Sequence, residues 1–256
     1  MDTKLPISAV LIARNEAHNL PSCLGAVASW VADITVVVND CTDGTEEIAR
    51  SFGAAVVEHQ WENFREQKNV ALGLARSEWV LALDADEVVS PELRDEIAAF
   101  LRAPGEAVAA SSPRLVTFLG RAIRHGDWYP DRGVRILRRG QGRWVGDHDH
   151  CHLEVDGPVR QLHGDLHHGS FPTLASLVNK TMFHADNFVR TRRDRRRPWT
   201  LIEAVVRPLW RFLRSYFLRR GFLDGYPGLI VSTTIAYQTF IRYARIYEAE
   251  RTLPPS

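Results

Sequence analysis

Two aspartates, Asp84 and Asp86, stand two residues apart at the end of the apolar run Trp79-Val80-Leu81-Ala82-Leu83. In extended chain, residues two apart project from the same face. Two carboxylates held together need a proton or a cation between them. A hard divalent ion such as Mg²⁺ or Mn²⁺ suits oxygen ligands and would also hold substrate phosphates. The competing reading is a turn cap at Asp84 beside a solvated Asp86. A second cluster lies between residues 148 and 168, which contain six of the ten histidines. The run Asp147-His148-Asp149-His150-Cys151-His152 alternates as ligands on a strand would, but structural zinc sites space their ligand pairs more widely, which disfavours zinc.

The elements that must position these groups are visible in the hydrophobic pattern. Residues 7–13, 34–38, 54–57 and 79–83 are short apolar runs that read as buried strands. Between them, helical spacing is predicted from Asn19 through Trp30, over Thr45–Phe52 and over Phe64–Ala75, and a fourth helix starts at Ser90-Pro91-Glu92 with serine as its cap. Such alternation implies right-handed crossovers and a mainly parallel sheet covered on both faces. Polar residues gather just after the strands: Arg14-Asn15-Glu16, Asn39-Asp40 and Asp84/Asp86. That edge is where ligands bind in open α/β sheets, although any one of these residues could be an ordinary turn residue. Neither a G-x-G-x-x-G after the first strand nor a P-loop is present, which argues against a dinucleotide dehydrogenase and a P-loop NTPase.

The 256 residues carry a formal charge of only +1, but residues 1–100 hold 7 Lys/Arg against 17 Asp/Glu, so the remainder is strongly basic. That asymmetry points to an anionic partner for the C-terminal half. Three widely separated cysteines fit a reducing compartment and exclude a disulfide framework. The first residues show no basic-then-apolar run, so no signal peptide is read and a cytoplasmic location is expected. From Gly105 to about Phe171 the chain reads as short strands and loops, and after Pro172 as helix. Residues 190–220 contain eleven arginines and two acids around an apolar stripe that includes Leu209, Trp210, Phe212 and Leu213. A helix with Pro208 in its first turn and this composition suits the interface of an anionic membrane, with packing onto the catalytic domain as the alternative. No nucleic-acid recognition motif accompanies the arginines. The charge-free stretch 225–241 is too short and too polar for a spanning helix.

The ordered set Ile12-Ala13-Arg14-Asn15-Glu16, Asp40-Cys41-Thr42-Asp43-Gly44-Thr45, Gln67-Lys68-Asn69 and Leu83-Asp84-Ala85-Asp86-Glu87 resembles family 2 glycosyltransferases of GT-A fold. Within them it is most similar to the lipopolysaccharide-core β-glycosyltransferase branch. The resemblance implies an α/β GT-A nucleotide-sugar-binding fold with a helical C-terminal extension. Residues 1–171 would form the catalytic domain, with a nucleotide-sugar half at 1–104 and an acceptor half at 105–171. Residues 172–256 would form a basic, aromatic, membrane-peripheral extension. The implied enzyme is an inverting glycosyltransferase of hexosyltransferase class, moving a sugar from a nucleoside-diphosphate sugar to a lipid-linked or cell-envelope glycan. Transfer to a polyprenyl phosphate and a non-catalytic glycan- or membrane-binding protein are the alternatives. It would sit on the inner face of the cell membrane and bind no nucleic acid.

The same resemblance assigns Ala13, Arg14, Glu16, Asn39, Asp40 and Lys68 to the nucleoside site. Asp84 and Asp86 would face ribose, diphosphate and a Mg²⁺ or Mn²⁺ ion, with His168 near the metal. Asn39 stands where relatives carry an acidic residue, and it can still hydrogen-bond a base or ribose. His148-Asp149 matches the pair that supplies the catalytic base, making Asp149 the first choice. A shifted alignment places Cys151 there instead and would call on His150 or Asp147. Trp128 could stack on the acceptor sugar or pack under its loop.

Overall fold

In the computed structural model, the residues described are 4–147, 150–171, 173–175, 177, 178, 181, 185, 188, 189 and 199–252. The pair His148-Asp149 expected to supply the base, and all the arginines between residues 190 and 197, lie outside them. Two compact units are present, one formed by Met1–Arg114 with Arg132–His168, the other by Leu115–Asp131 with Gly169–Ser256.

The first unit is built on β1 (Leu5–Ala13), β2 (Val31–Val38), β3 (Ala55–Glu58) and β4 (Trp79–Asp84), all mutually parallel in the order β3-β2-β1-β4. The apolar runs of β1, β2 and β4 are largely buried on both faces, as central parallel strands require, while β3 at the edge is half-buried. Connecting them are α1 (Leu20–Gly25), α2 (Thr45–Ser51) and α3 (Phe64–Gly73), followed by α4 (Pro91–Arg102). Ser90 caps α4, its side chain accepting from the Leu93 N–H at 3.1 Å, and Asn63 caps α3 in the same way through Glu66. The helix predicted over residues 19–30 closes early, at Gly25, and continues as turns into β2.

Beyond β4, the short β5 (Glu87–Val89), β6 (Ala109–Phe118), β8 (Asp131–Arg138) and β12 (Leu166–Phe171) extend the sheet in the order β4-β8-β6-β12-β5. The short strands β7 (Arg121–Ala122) and β11 (Val159–Gln161) both pair with β6. A separate hairpin, β9 (Gly142–Asp147) with β10 (His150–Val155), is tied to α3 by Asn69. The Asn69 amide donates to the Trp144 carbonyl at 3.1 Å and accepts from its N–H at 2.8 Å.

β12 runs antiparallel to β5, with His168 opposite Glu87. The loop entering β12 is clamped on α4, where Glu96 accepts from the N–H groups of His163 (2.6 Å) and Gly164 (3.2 Å). Gly164 is required there because a Cβ would stand 2.4 Å from the backbone of Leu93.

In the second unit, α5 (Leu201–Leu213) and α6 (Gly225–Thr252) are joined by a π-helical turn at Arg214–Leu218 and a 3₁₀ turn at Gly221–Asp224. Segment 115–131, expected with the acceptor half, clusters with these helices. The helix expected to begin at Pro208 starts seven residues earlier. Thr200 accepts from the Glu203 N–H at 3.3 Å, a capping signal that sets the start, and Pro208 is accommodated inside the helix. Among the described residues, no helix is long and apolar enough to cross a membrane.

Replacing Gly164 by alanine is expected to lower unfolding free energy by about 1–3 kcal/mol in urea titrations. Gly73→Ala, into open space at the end of α3, should be neutral or stabilising by up to about 1 kcal/mol.

Candidate active site

The carboxyl ends of β1, β2 and β4 bring together three of the four sequence motifs. The loops after β1 and β2 are stitched by side chains: Asn15 accepts from the Thr42 N–H at 2.8 Å, Asp43 from the Ala17 N–H at 3.1 Å, and Thr45 from the Glu16 N–H at 2.8 Å. Asp43 also accepts from both the N–H and the hydroxyl of Thr45, which holds its carboxyl below the usual range. The Asp-Gly-Thr run therefore serves to fix the shape of the strand-end loops.

Between these loops and the start of α3 lies a cleft of about 270 Å³, whose lining includes Ala13, Arg14, Glu16, Asn39, Trp61 and Gln67. Asn39 is 6% exposed, and its Oδ1 is buried with no hydrogen-bond partner among the described residues. An unpaired buried amide oxygen costs free energy unless a ligand or water donates to it. Trp61 and Phe64 meet edge to face at 4.9 Å on the rim, and both are partly open to solvent, by 36% and 45%. Gln67 is buried and held by His59, whose Nδ1 lies 3.0 Å from its Oε1. Glu16 bonds Asn19 at 2.7 Å. Burial, reinforced by the charges of Asp86, Asp43 and Asp84, raises its pKa despite that bond.

Asp84 ends β4, and Ala85 and Asp86 form the turn into β5, so the extended geometry expected across both aspartates stops at the first. Each oxygen of Asp84 faces a cation. Oδ1 takes the Lys68 ammonium, and Oδ2 the Arg135 guanidinium at 3.2 Å. Burial alone would raise its pKa, but the charges of Lys68 and Arg135 outweigh it and hold the carboxyl far below its ordinary range. Arg135 in turn forms a two-pronged pair with fully buried Glu87, at 3.0 Å through Nε and 2.7 Å through an Nη. Glu87 also accepts from the Asp84 N–H at 3.0 Å. Lys68 lies 4.4 Å above the Trp144 ring.

Asp86 instead faces His168, with Oδ2 3.2 Å from Nε2. Burial raises its pKa, and the hydrogen bond and charge of His168 outweigh that and lower it. Among the described residues, no group of three or more His, Cys, Asp or Glu side chains is arranged to hold a metal. The Asp86–His168 pair offers one carboxylate and one imidazole, a donor set that suits a divalent ion completed by water and diphosphate oxygens. The two aspartates expected to share one cation thus face different partners in the structure, Asp84 meeting Lys68 and Arg135 and Asp86 meeting His168.

The remaining expected residues fall elsewhere. Asp40 is exposed beside the cleft, in a left-handed conformation (φ 44°), its N–H donating to Glu58 at 3.2 Å. Trp128 belongs to the second unit, where it packs edge to face on Phe118 at 5.9 Å. Cys151 is half-buried against the apolar cluster that contains Trp144. The sequence reading missed Trp61, Phe64, Arg135 and Glu87 as site residues. Glu87 adjoins the aspartate motif and could have been included, but only the pairing of β8 with β4 brings Arg135 to Asp84.

Arg135→Met leaves Glu87 charged and buried, an expected cost of about 3–5 kcal/mol in chemical denaturation. Adding Glu87→Gln, which keeps the acceptor for the Asp84 N–H, should recover much of that loss.

Residues 8–155 match the family model for glycosyl transferase family 2. The chain is 28% identical over 260 residues to the lipopolysaccharide core biosynthesis glycosyltransferase LpsC of Rhizobium meliloti, covering 97% of this chain and 94% of that protein. It is 26% identical to an uncharacterized glycosyltransferase of Rickettsia typhi, covering 94% and 87%. A mycobacterial protein of known structure, 17% identical, superposes with a TM-score of 0.50 over 72% of this chain and 74% of that one. The family and GT-A fold expected from the ordered motifs are thus met, the cleft lies at the strand ends, and the chain is a member of glycosyl transferase family 2.

Proposed function

We propose that the protein is an inverting glycosyltransferase that binds a nucleoside-diphosphate sugar in the cleft at Asn39 and transfers the sugar to a lipid-linked or cell-envelope glycan at the cytoplasmic face of the membrane. The observation that carries this reading is the orphaned Oδ1 of Asn39 in a cleft rimmed by Trp61 and Phe64. A nucleobase supplies the missing N–H donor and a face to stack on the aromatic rim. The neighbouring carboxylates suit the rest of such a donor, since Glu16 lines the cleft and feels the charges of Asp84 and Asp86.

Asp86 and His168 are the residues to hold a Mg²⁺ or Mn²⁺ ion, which when bound supplies charge neutralisation for the departing diphosphate. Lys68 and Arg135 keep Asp84 ionised and fixed, so that it can accept from a ribose hydroxyl without repelling the site. Asp149, next to His148, is the proposed base that removes the proton from the acceptor hydroxyl as its oxygen attacks the anomeric carbon. The similarity to LpsC across nearly the whole chain favours a glycan acceptor.

A thermal-shift screen of UDP-, GDP-, CMP- and ADP-sugars, with and without Mn²⁺, should reveal one preferred donor, because ligand binding to the folded state raises its stability. Asn39→Leu is expected to weaken that donor at least tenfold by calorimetry while leaving the melting temperature of the unliganded protein near wild type. Asp86→Ala should abolish both Mn²⁺ binding by electron paramagnetic resonance and metal-dependent donor hydrolysis. If no nucleotide-sugar binds to the wild type, the reading fails.

Asp149→Asn is expected to reduce turnover by roughly 10²–10⁴-fold with donor affinity retained. Unchanged turnover would instead favour an acceptor that is already anionic, a polyprenyl phosphate.

A further inference from the structure

The second unit carries a surface that sugar transfer does not use. On α5 the side chains of Ile202, Val205, Val206, Leu209, Trp210 and Leu213 recur at helical spacing and are exposed, Ile202 by 74% and Leu209 by 61%. The only buried residues of that helix are Ala204 and Pro208. Phe217, Leu218, Phe222 and Leu223 continue the exposed apolar character past its end. Apolar surface on this scale marks an interaction site.

Around the C-terminal end of α5, with Arg211 on the side of the helix turned away from that stripe, three guanidinium groups converge on one carboxylate. Arg211, Arg214 and Arg219 stand 3.2, 3.1 and 3.4 Å from Asp127, whose side chain is 4% exposed. The arginines themselves stay substantially open to solvent. Asp127 is anchored from beneath, its N–H donating to Ser215 Oγ at 3.3 Å and Ser215 pairing with Ser232 at 2.9 Å. One carboxylate cannot neutralise three guanidinium groups, and a fourth lies close by. Burial, then the charge of Arg211, lowers the pKa of Arg242, whose Nε is buried without a hydrogen-bond partner among the described residues. In the sequence, five more arginines (192, 193, 195, 196 and 197) immediately precede α5.

We propose that α5 docks on an anionic phospholipid surface, its apolar stripe in the acyl boundary and Arg211, Arg214 and Arg219 on the lipid phosphates. Asp127 preorganises the three arginines, so their planar donors face phosphate oxygens in a fixed arrangement. A second copy of the chain is a poorer occupant, because a symmetric contact through this stripe sets one arginine rim against the other. This deepens the membrane side of the proposed function and rests on that reading only for where the acceptor lies. Vesicle binding is measured without turnover, so the two can fail separately.

The test is flotation of the full chain with phosphatidylcholine vesicles, and with the same vesicles containing phosphatidylglycerol, at low and high salt. Anionic vesicles should bind at least tenfold more tightly, with the difference shrinking as salt rises. Arg211→Gln with Arg214→Gln should lose roughly tenfold or more of that binding, and Ile202→Asp with Leu209→Asp should abolish it. Circular dichroism and the melting temperature of both variants should stay at wild-type level, showing that they fold. Four outcomes would overturn the proposal. These are no preference for anionic vesicles, unchanged binding in the arginine variant, concentration-dependent dimerisation lost in the Ile202/Leu209 variant, and saturation of the arginines by soluble glycerol phosphate at concentrations that leave vesicle binding intact.

Discussion

Everything at the strand ends depends on the neutralisation of Asp84. A carboxylate at the end of a buried strand is costly unless cations meet it, and here Lys68 from α3 and Arg135 from β8 do so together. Arg135 is itself secured by Glu87, which also accepts from the backbone of Asp84. The chain of charges runs Lys68–Asp84–Arg135–Glu87, alternating in sign, so the cluster is balanced before any ligand arrives. It joins a helix and three strands at the place where the donor diphosphate is proposed to lie.

The same logic assigns different tasks to residues of one motif. In Gln67-Lys68-Asn69, Gln67 turns to His59 and the cleft, Lys68 to Asp84, and Asn69 to the backbone of Trp144. Consecutive residues on a helix point about 100° apart, so three neighbours serve the cleft, the charge cluster and the β9–β10 hairpin. The hairpin joins residues 147 and 150 across the segment that contains the proposed base, so Asn69 sets the position of the chain on both sides of it.

Much of this was legible in the sequence. The parallel strands announced themselves as apolar runs, and Ser90 and Pro91 announced α4, because both signals are local. Arg14, Glu16 and Asn39, which line the cleft, stood out because they follow strands, and strand ends converge on one edge in this fold, whereas Ala13 came only from the family resemblance. Arg135 could not be found this way. Its partner is 51 residues away and reached by an antiparallel strand, a pairing that no periodicity encodes. Trp61 and Phe64 read as ordinary residues before a helix until the cleft they rim is seen. Pro208 misled for a related reason: its preference for a first turn is weaker than the Thr200–Glu203 capping signal upstream.

The division between the two aspartates follows from what each can still accept. Asp84 has both oxygens paired with cations carried by the protein itself, so a metal there would have to share them with Lys68 and Arg135. Asp86 faces a single imidazole, that of His168, and a carboxylate and an imidazole can both serve as metal ligands. Asp86 and His168 would therefore be the residues to hold a divalent ion, with the charge cluster around Asp84 left in place. That asymmetry would make Asp84 the fixed wall of the proposed site and Asp86 its responsive group.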